Sequence, residues 1–380
     1  MLPWPGGGSD EGTKSKEGGL IFDEGWNKNL ITALGRQEGV ADSEIEAESK
    51  TEIWKGGNEL TIQTTYLPEP KKVEVVSRDL PGPGEGQVLV KTAQASICGT
   101  DKNIYNGILP PGLKFPITLL GHEGGGTVVE LGKGVRRYKV GDRVMSCYVN
   151  GTFADYFLSQ EENLHPIPPE MEMELGCLGE PLACAMYSVF NSGVQLGDTV
   201  AVMGLGFAGQ IMVQGAKRKG ALQVIGVDPL AGKRELAKSL GADHAFDPKA
   251  PDSEKAIMDL TRGLGVDVVF EAAGREESMN MASRILRKNG TLVLYSWIME
   301  PVRLGISRWH DDAFQIRTTC VMHLNTPYER FTWFDRVLAP YWKGLVQVNP
   351  LLSPPLPLQD MARAFELSCQ PDTVKVLIRP

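Results

Sequence analysis

Three short motifs in the first half of the chain carry side chains that could do chemistry together. They are Cys98 in Ile97-Cys98-Gly99-Thr100-Asp101, His122-Glu123 after Gly121, and Glu180 in Gly179-Glu180-Pro181. Thiolate, imidazole and carboxylate are the donor types of a catalytic zinc site that keeps one position open. Downstream lies Gly204-Leu205-Gly206-Phe207-Ala208-Gly209, a glycine fingerprint of the kind that seats a dinucleotide. A Lewis-acid ion beside a hydride carrier points to interconversion of alcohol and carbonyl.

The fingerprint gains weight from its surroundings. The apolar run Val200-Ala201-Val202-Met203 leads into Gly204, and a helix-compatible stretch follows Gly209. Gly204 permits a tight turn, Gly206 lets a pyrophosphate approach the backbone, and Gly209 lets helix and strand pack closely. Phe207 and Ala208 open the helix whose amides would face the phosphates. Nineteen residues beyond Gly209 stands Asp228, after Val224-Ile225-Gly226-Val227. A carboxylate there accepts ribose hydroxyls and repels a 2′-phosphate, which favours NAD over NADP. Lys233 and Arg234 follow closely and soften that preference.

The elements that must position these groups fall into two rhythms. Leu60–Thr64, Lys72–Val76 and Gln87–Lys91 read as short strands, followed by Gly126–Leu131 and Arg143–Cys147, with Gly and Pro between them. Such spacing suggests a small, mostly antiparallel barrel. A helix is expected over Leu182–Asn191. Strands at Thr199–Met203, Gln223–Val227, Val266–Phe270 and Thr291–Tyr295 then alternate with helices from Ala208, Lys233 and Glu276. That alternation predicts a parallel sheet with helices on both faces. A strand is expected around Thr318–His323, a helix over Tyr328–Trp342, and a last strand over Thr373–Ile378 returning to the first unit. Gly121 and Gly124–Gly126 read as hinges that bend the backbone around His122-Glu123.

Composition bounds the rest. A chain of 380 residues exceeds a single core and implies two domains. The net charge of −8 argues against nucleic acid. Residues 1–55 hold 11 acidic and 6 basic side chains, so most of the imbalance is local. Six scattered cysteines without a C-x-x-C pair argue against a disulfide framework and for a reducing compartment. No apolar run reaches the roughly 20 residues of a membrane span, and the start lacks the features of a signal peptide. A cytoplasmic protein is expected. Residues 1–19, rich in Gly, Ser, Lys and Glu, read as disordered.

Taken together, Ile97-Cys98-Gly99-Thr100-Asp101, Gly121-His122-Glu123 with Gly126, Val140-Gly141-Asp142-Arg143-Val144, Glu180-Pro181-Leu182-Ala183 and the glycine fingerprint resemble the signatures of zinc-dependent medium-chain alcohol and polyol dehydrogenases. The likeness spans roughly residues 58–380 in order. It implies an α/β protein: a GroES-like, mostly antiparallel β catalytic domain over 56–185, a doubly wound Rossmann domain over 186–323, and a return to the catalytic domain over 324–380. Residues 1–55 form an extension without counterpart. By the same likeness Cys98 and His122 are zinc ligands, Glu180 is the third ligand, and Glu123 ligates directly or exchanges with Glu180. Asp101 orients the His122 ring, Thr100 touches the reacting alcohol, and Lys375 lies near the cofactor pyrophosphate.

Two further departures from the family pattern shape the expectation. The stretch from Val144 to Ala154 lacks the four-cysteine lobe of a structural zinc, so one zinc per chain is expected. Asn103 stands where many relatives carry a proton-relay histidine; it cannot titrate, so proton exit falls to Thr100, ribose hydroxyls, water, Glu123 or Glu180. The expected activity is hydride transfer between NAD and a secondary alcohol: a polyol, sugar or amino alcohol. A homo-oligomer, dimer or tetramer, is also expected. The rival readings are a zinc-free NADPH quinone or enoyl reductase on the same scaffold and a catalytically silent NAD-binding relative. Tyr105, Tyr148 and Trp297 are the pocket candidates, each equally compatible with plain packing.

Overall fold

The computed structural model describes residues 59–380 apart from residues 148 and 325, so the expected extension and the Tyr148 assignment lie outside the described residues. Strands β1 (Glu59–Glu69) and β2 (Lys72–Pro81) form an antiparallel hairpin. Strand β3 (Gln87–Ser96) is the axis of the first sheet and is buried at seven of its ten positions. Alternate side chains feed opposite faces, as a pleated strand requires. Val88 and Val90 pack with Val128, Val144 and Phe157, while Leu89 packs with Leu60, Ile62 and Ala154 beneath the hairpin. Helix α1 (Gly99–Tyr105) follows β3 directly. β4 (Glu123–Leu131), β5 (Arg143–Ser146), β6 (Tyr156–Gln160) and β7 (Leu164–Pro166) complete this part, with β4 and β6 both antiparallel to β3.

Gly124, Gly125 and Gly126 are not hinges. They lie inside β4, where a Cβ on Gly126 would stand 1.9 Å from the Lys91 carbonyl oxygen and one on Gly125 would stand 2.4 Å from that of Val144. Glycine is required there because neighbouring strands approach too closely for a side chain. The bend belongs to Gly121, whose φ is +87°.

Helix α2 (Gly179–Asn191) leads into the second sheet. Its strands are β8 (Thr199–Met203), β9 (Gln223–Val227), β10 (His244–Phe246), β11 (Val266–Glu271), β12 (Leu286–Leu294) and β13 (Gln315–Thr318). They are all parallel, in the order β10-β9-β8-β11-β12-β13. Helices α3 (Phe207–Lys219), α4 (Ala231–Ser239), α5 (Ser253–Leu260) and α6 (Glu276–Ile285) connect them. The strand order reverses between β8 and β11, and ligands of such sheets bind outside the carboxyl ends at that point. The strand expected around Thr318–His323 lies earlier. Gln315–Thr318 forms the exposed edge, and Val321–His323 is a short 3₁₀ turn.

Helix α7 (Pro327–Trp342) starts with Thr326 accepting the Glu329 amide at 3.1 Å and packs on α2. β14 (Leu356–Pro357), helix α8 (Met361–Ser368) and β15 (Leu377–Arg379) then rejoin the first sheet, β15 pairing antiparallel with the end of β3. Among the described residues no helix is long and apolar enough to cross a membrane.

Candidate active site

The register of β3 against β4 explains how distant ligands meet. Ser96 pairs with Glu123. Cys98 lies two residues past one end of that pair and His122 one residue before the other, so both emerge at the same edge of the sheet. The donor atoms of Cys98, His122 and Glu123 all lie within 4.8 Å of one another, the one such group among the described residues.

Asp101 ties two of these residues together. Its Oδ2 accepts the Cys98 backbone N–H at 2.9 Å, capping α1, and its Oδ1 faces His122 Nδ1 at 3.4 Å. The other ring nitrogen is thereby left for a ligand. Burial pulls the His122 pKa down, but Asp101 and Cys98 outweigh it and hold it well above the usual value. Burial pushes the Cys98 thiol up, aided by Glu123. Both protons must leave when a cation binds. Ser146 fixes the backbone here: its hydroxyl donates to the His122 carbonyl at 2.6 Å and accepts from Gly124 N at 3.1 Å. Asp101→Asn, which removes the negative charge, is expected to weaken zinc affinity by about 10- to 100-fold, measured by chelator competition. Unchanged affinity would exclude the orienting role.

Glu123 begins β4 with its side chain enclosed. Its Oε2 accepts the Lys375 ammonium at 2.6 Å and the Ser96 hydroxyl, so Oε1 remains for a metal. Glu180, in the first turn of α2, stands outside the three-residue group. Its Oε1 accepts from the Cys184 thiol at 3.4 Å, and burial, helped by Glu123, pushes its carboxyl up to about 7. Thr100, in the first turn of α1, keeps its hydroxyl free of protein partners among the described residues.

The nucleotide seat forms at the carboxyl end of β8. Gly204 has φ +88°, and a Cβ there would strike Ala273, in the loop after β11, at 2.8 Å. A Cβ on Gly209 would lie 1.9 Å from the Gly204 carbonyl oxygen, whereas one on Gly206 would point into open space. Close packing at the first and third glycines and room at the second is the shape a pyrophosphate needs. Asp228 Oδ2 accepts Leu205 N and Oδ1 accepts Leu230 N, each at 2.9 Å. Each oxygen keeps a lone pair for a ribose hydroxyl. Gln210 Nε2 donates to the carbonyls of Leu205 and Lys233, clamping the glycine loop to the start of α4. Arg234 is turned to the Asp228 carbonyl at 2.8 Å and to Asp247 at 3.6 Å, whereas Lys233 makes no ion pair among the described residues.

Lys375, expected near the cofactor pyrophosphate, stands between the metal-site carboxylate and the head of the nucleotide helix. Its ammonium is enclosed on Glu123 and the Ile97 carbonyl, 4.6 Å above the centre of the Phe207 ring. It therefore links a metal-site carboxylate to the first residue of the nucleotide helix. Ser96, Cys184, Ser146 and Gln210 were not singled out by the sequence, because each acts through a register or a helical turn. Tyr105 stacks on Phe365 at 4.6 Å inside the core, so it packs rather than lines a pocket. Trp297 is half exposed, with 49% of its surface accessible.

Comparison with known proteins agrees with this geometry. Residues 84–169 match the alcohol dehydrogenase GroES-like domain family and residues 208–336 the zinc-binding dehydrogenase family. The chain is 29% identical to D-arabitol-phosphate dehydrogenase from Enterococcus avium over 80% of this chain and 92% of that protein. It is 32% identical to sorbitol dehydrogenase from Halalkalibacterium halodurans over 58% of this chain and 72% of that protein. A zinc-binding dehydrogenase from Sinorhizobium meliloti 1021, solved with NADP bound, superposes with a TM-score of 0.74 at 28% identity, covering 84% of this chain and all of that one.

Proposed function

Because the chain belongs to the zinc-dependent medium-chain alcohol and polyol dehydrogenase family, we propose that it oxidises a secondary alcohol on a polyol, sugar or amino alcohol, passing hydride to NAD. The observation that carries the reading is the convergence of Cys98, His122 and Glu123, joined through Lys375 to Phe207 at the head of the nucleotide helix. The donor set fits zinc: one sulfur, one imidazole nitrogen and one carboxylate oxygen, with Glu180 standing by. When bound there, zinc acts as a Lewis acid toward a substrate oxygen, and the nicotinamide takes the hydride.

The chain supplies position and proton handling. Asp101 fixes the imidazole, and the Thr100 hydroxyl is free to hydrogen-bond the reacting hydroxyl. Asn103 cannot carry a proton onward, whereas Glu180, near 7 through burial, can take one at neutral pH. Asp228 favours NAD, with Lys233 as the cation that softens the choice. A zinc-free NADPH reductase would have no use for the clustered thiol, imidazole and carboxylate. The reading includes one zinc per chain, since Cys147 is the only cysteine between Val144 and Ala154. No disulfide joins the cysteines among the described residues, which favours a reducing, cytoplasmic setting. The exposed outer edge of β13 offers a self-pairing surface for a homo-oligomer.

The test is zinc-loaded protein with NAD or NADP and a panel of polyols, sugars and amino alcohols, followed by absorbance of the reduced cofactor. Turnover should favour NAD by about tenfold or more, equivalent to about 1.4 kcal/mol. Equal activity after rigorous removal of metal would sink the reading.

A further inference from the structure

A cleft of about 700 Å³ separates the first sheet from α7, and none of the metal or nucleotide residues lines it. One wall belongs to the sheet: Arg137 and Tyr138 from the loop before β5, Arg143 from the start of β5, and Ile167 just after β7. The other wall is the first turn of α7, where Tyr328 and Phe331, three residues apart, share a face. These walls are held in place by contacts of their own. The Phe331 ring packs on the ring of His165 in β7 at 4.4 Å, and His165 Nε2 meets Asp335 of α7 at 3.1 Å. Phe334, Val337 and Leu338 anchor α7 in the main core. The Tyr138 hydroxyl is committed to the Leu164 carbonyl at 2.7 Å.

The charge in the cleft is one-sided. Arg137 lies over the Phe331 ring at 5.0 Å, and Arg143 donates to the carbonyls of Pro169, at 3.1 Å, and Met171. Rings and carbonyls carry no net charge, and neither guanidinium has a carboxylate partner among the described residues. The acidic side chain of the lining, Asp142, is spent on Lys139: Oδ1 takes the ammonium at 2.5 Å and Oδ2 the backbone N–H at 2.9 Å. Two fixed guanidinium forks are therefore left facing a space walled by aromatic and apolar side chains. A junction cleft of this size, apolar with a few converging polar groups, is the usual form of a small-molecule site. Arginine forks select carboxylates, which they can bind through two parallel hydrogen bonds.

We infer that this cleft is a second binding site, apart from the dehydrogenase centre, for a small aromatic carboxylate. Its ring lies against Tyr328 and Ile167, and its carboxylate is taken by Arg137 and Arg143. The test is calorimetric titration of the zinc-loaded full chain with 2-naphthoate and with its neutral analogue 2-naphthamide, each with and without saturating NADH. One naphthoate should bind per chain, at least about tenfold more tightly than the amide, and NADH should not displace it. Arg137→Ala should weaken naphthoate binding by about tenfold or more, with Arg137→Lys falling between, because lysine keeps the charge but not the fork. Tyr328→Ala should weaken both probes alike. Arg137 and Tyr328 are exposed, so these changes leave the fold intact, and an unchanged thermal midpoint verifies it. Naphthoate affinity within about twofold of wild type in Arg137→Ala overturns the inference, as does equal binding of acid and amide. Displacement by NADH would put the probe in the catalytic crevice and also overturn it. Loss of the site as protein concentration rises would give the cleft to a second copy of the chain instead. The titration reads heat rather than turnover, so its outcome is independent of which alcohol is oxidised.

Discussion

His122→Ala is expected to lower kcat/KM by about 10,000-fold or more, about 5.4 kcal/mol of barrier, while leaving NAD bound as before. The side chain is one of three that converge within 4.8 Å, and a zinc site with two protein donors loses both affinity and the preset opening for substrate. Little else depends on it. The imidazole is about a quarter exposed, and its charge partner Asp101 keeps the Cys98 amide as a second anchor. The glycine loop, Asp228 and Gln210 sit on β8, β9 and α3, away from the deletion. Zinc per chain, NADH binding by fluorescence quenching and steady-state turnover separate the two sites in one variant. A metal-depleted His122→Ala protein that keeps turnover within about tenfold of wild type would show that the chemistry lies elsewhere.

Much of this site was legible because its residue types are costly anywhere else. A glycine-flanked Cys and His, a buried carboxylate and a strand-glycine-helix fingerprint have few structural uses in combination. The parts that were not legible depend on register. Nothing local reveals that Ser96 faces Glu123, or that Lys375, 252 residues beyond Glu123, folds back onto it. The three glycines of β4 read as a hinge because sequence cannot distinguish a backbone that bends from one that is crowded by its neighbours. Helix α1 escaped notice because Gly99, Thr100 and Asn103 are poor helix formers. It forms because Asp101 caps it and because Ile104 and Tyr105 bury beneath it. The edge strand at Gln315–Thr318 was hidden because Ile316 is its one apolar residue and all four positions are exposed, so no buried alternation marks it.

Lys375→Met is expected to cost about 3–5 kcal/mol of folding stability, the range for removing one partner of a buried ion pair. Both side chains are almost fully enclosed, 5% and 2% exposed, so Glu123 would be left charged without its counter-ion. Burial lowers the Lys375 pKa, but Glu123 and Cys98 outweigh that and raise it above 10.5. A lysine raised on folding contributes fully below its unfolded pKa and loses that contribution only as pH climbs through the folded value. At neutral pH the whole effect is therefore present. Urea unfolding of metal-free protein at pH 7 measures it. The double variant Glu123→Gln with Lys375→Met should recover most of the loss, because a neutral amide can remain near Ser96 without a counter-ion. A single variant within about 1 kcal/mol of wild type, or a double variant no better than the single, would mean that the ammonium is held by the Phe207 ring and the Ile97 carbonyl rather than by the carboxylate. The link between metal site and nucleotide helix would then be packing, not charge.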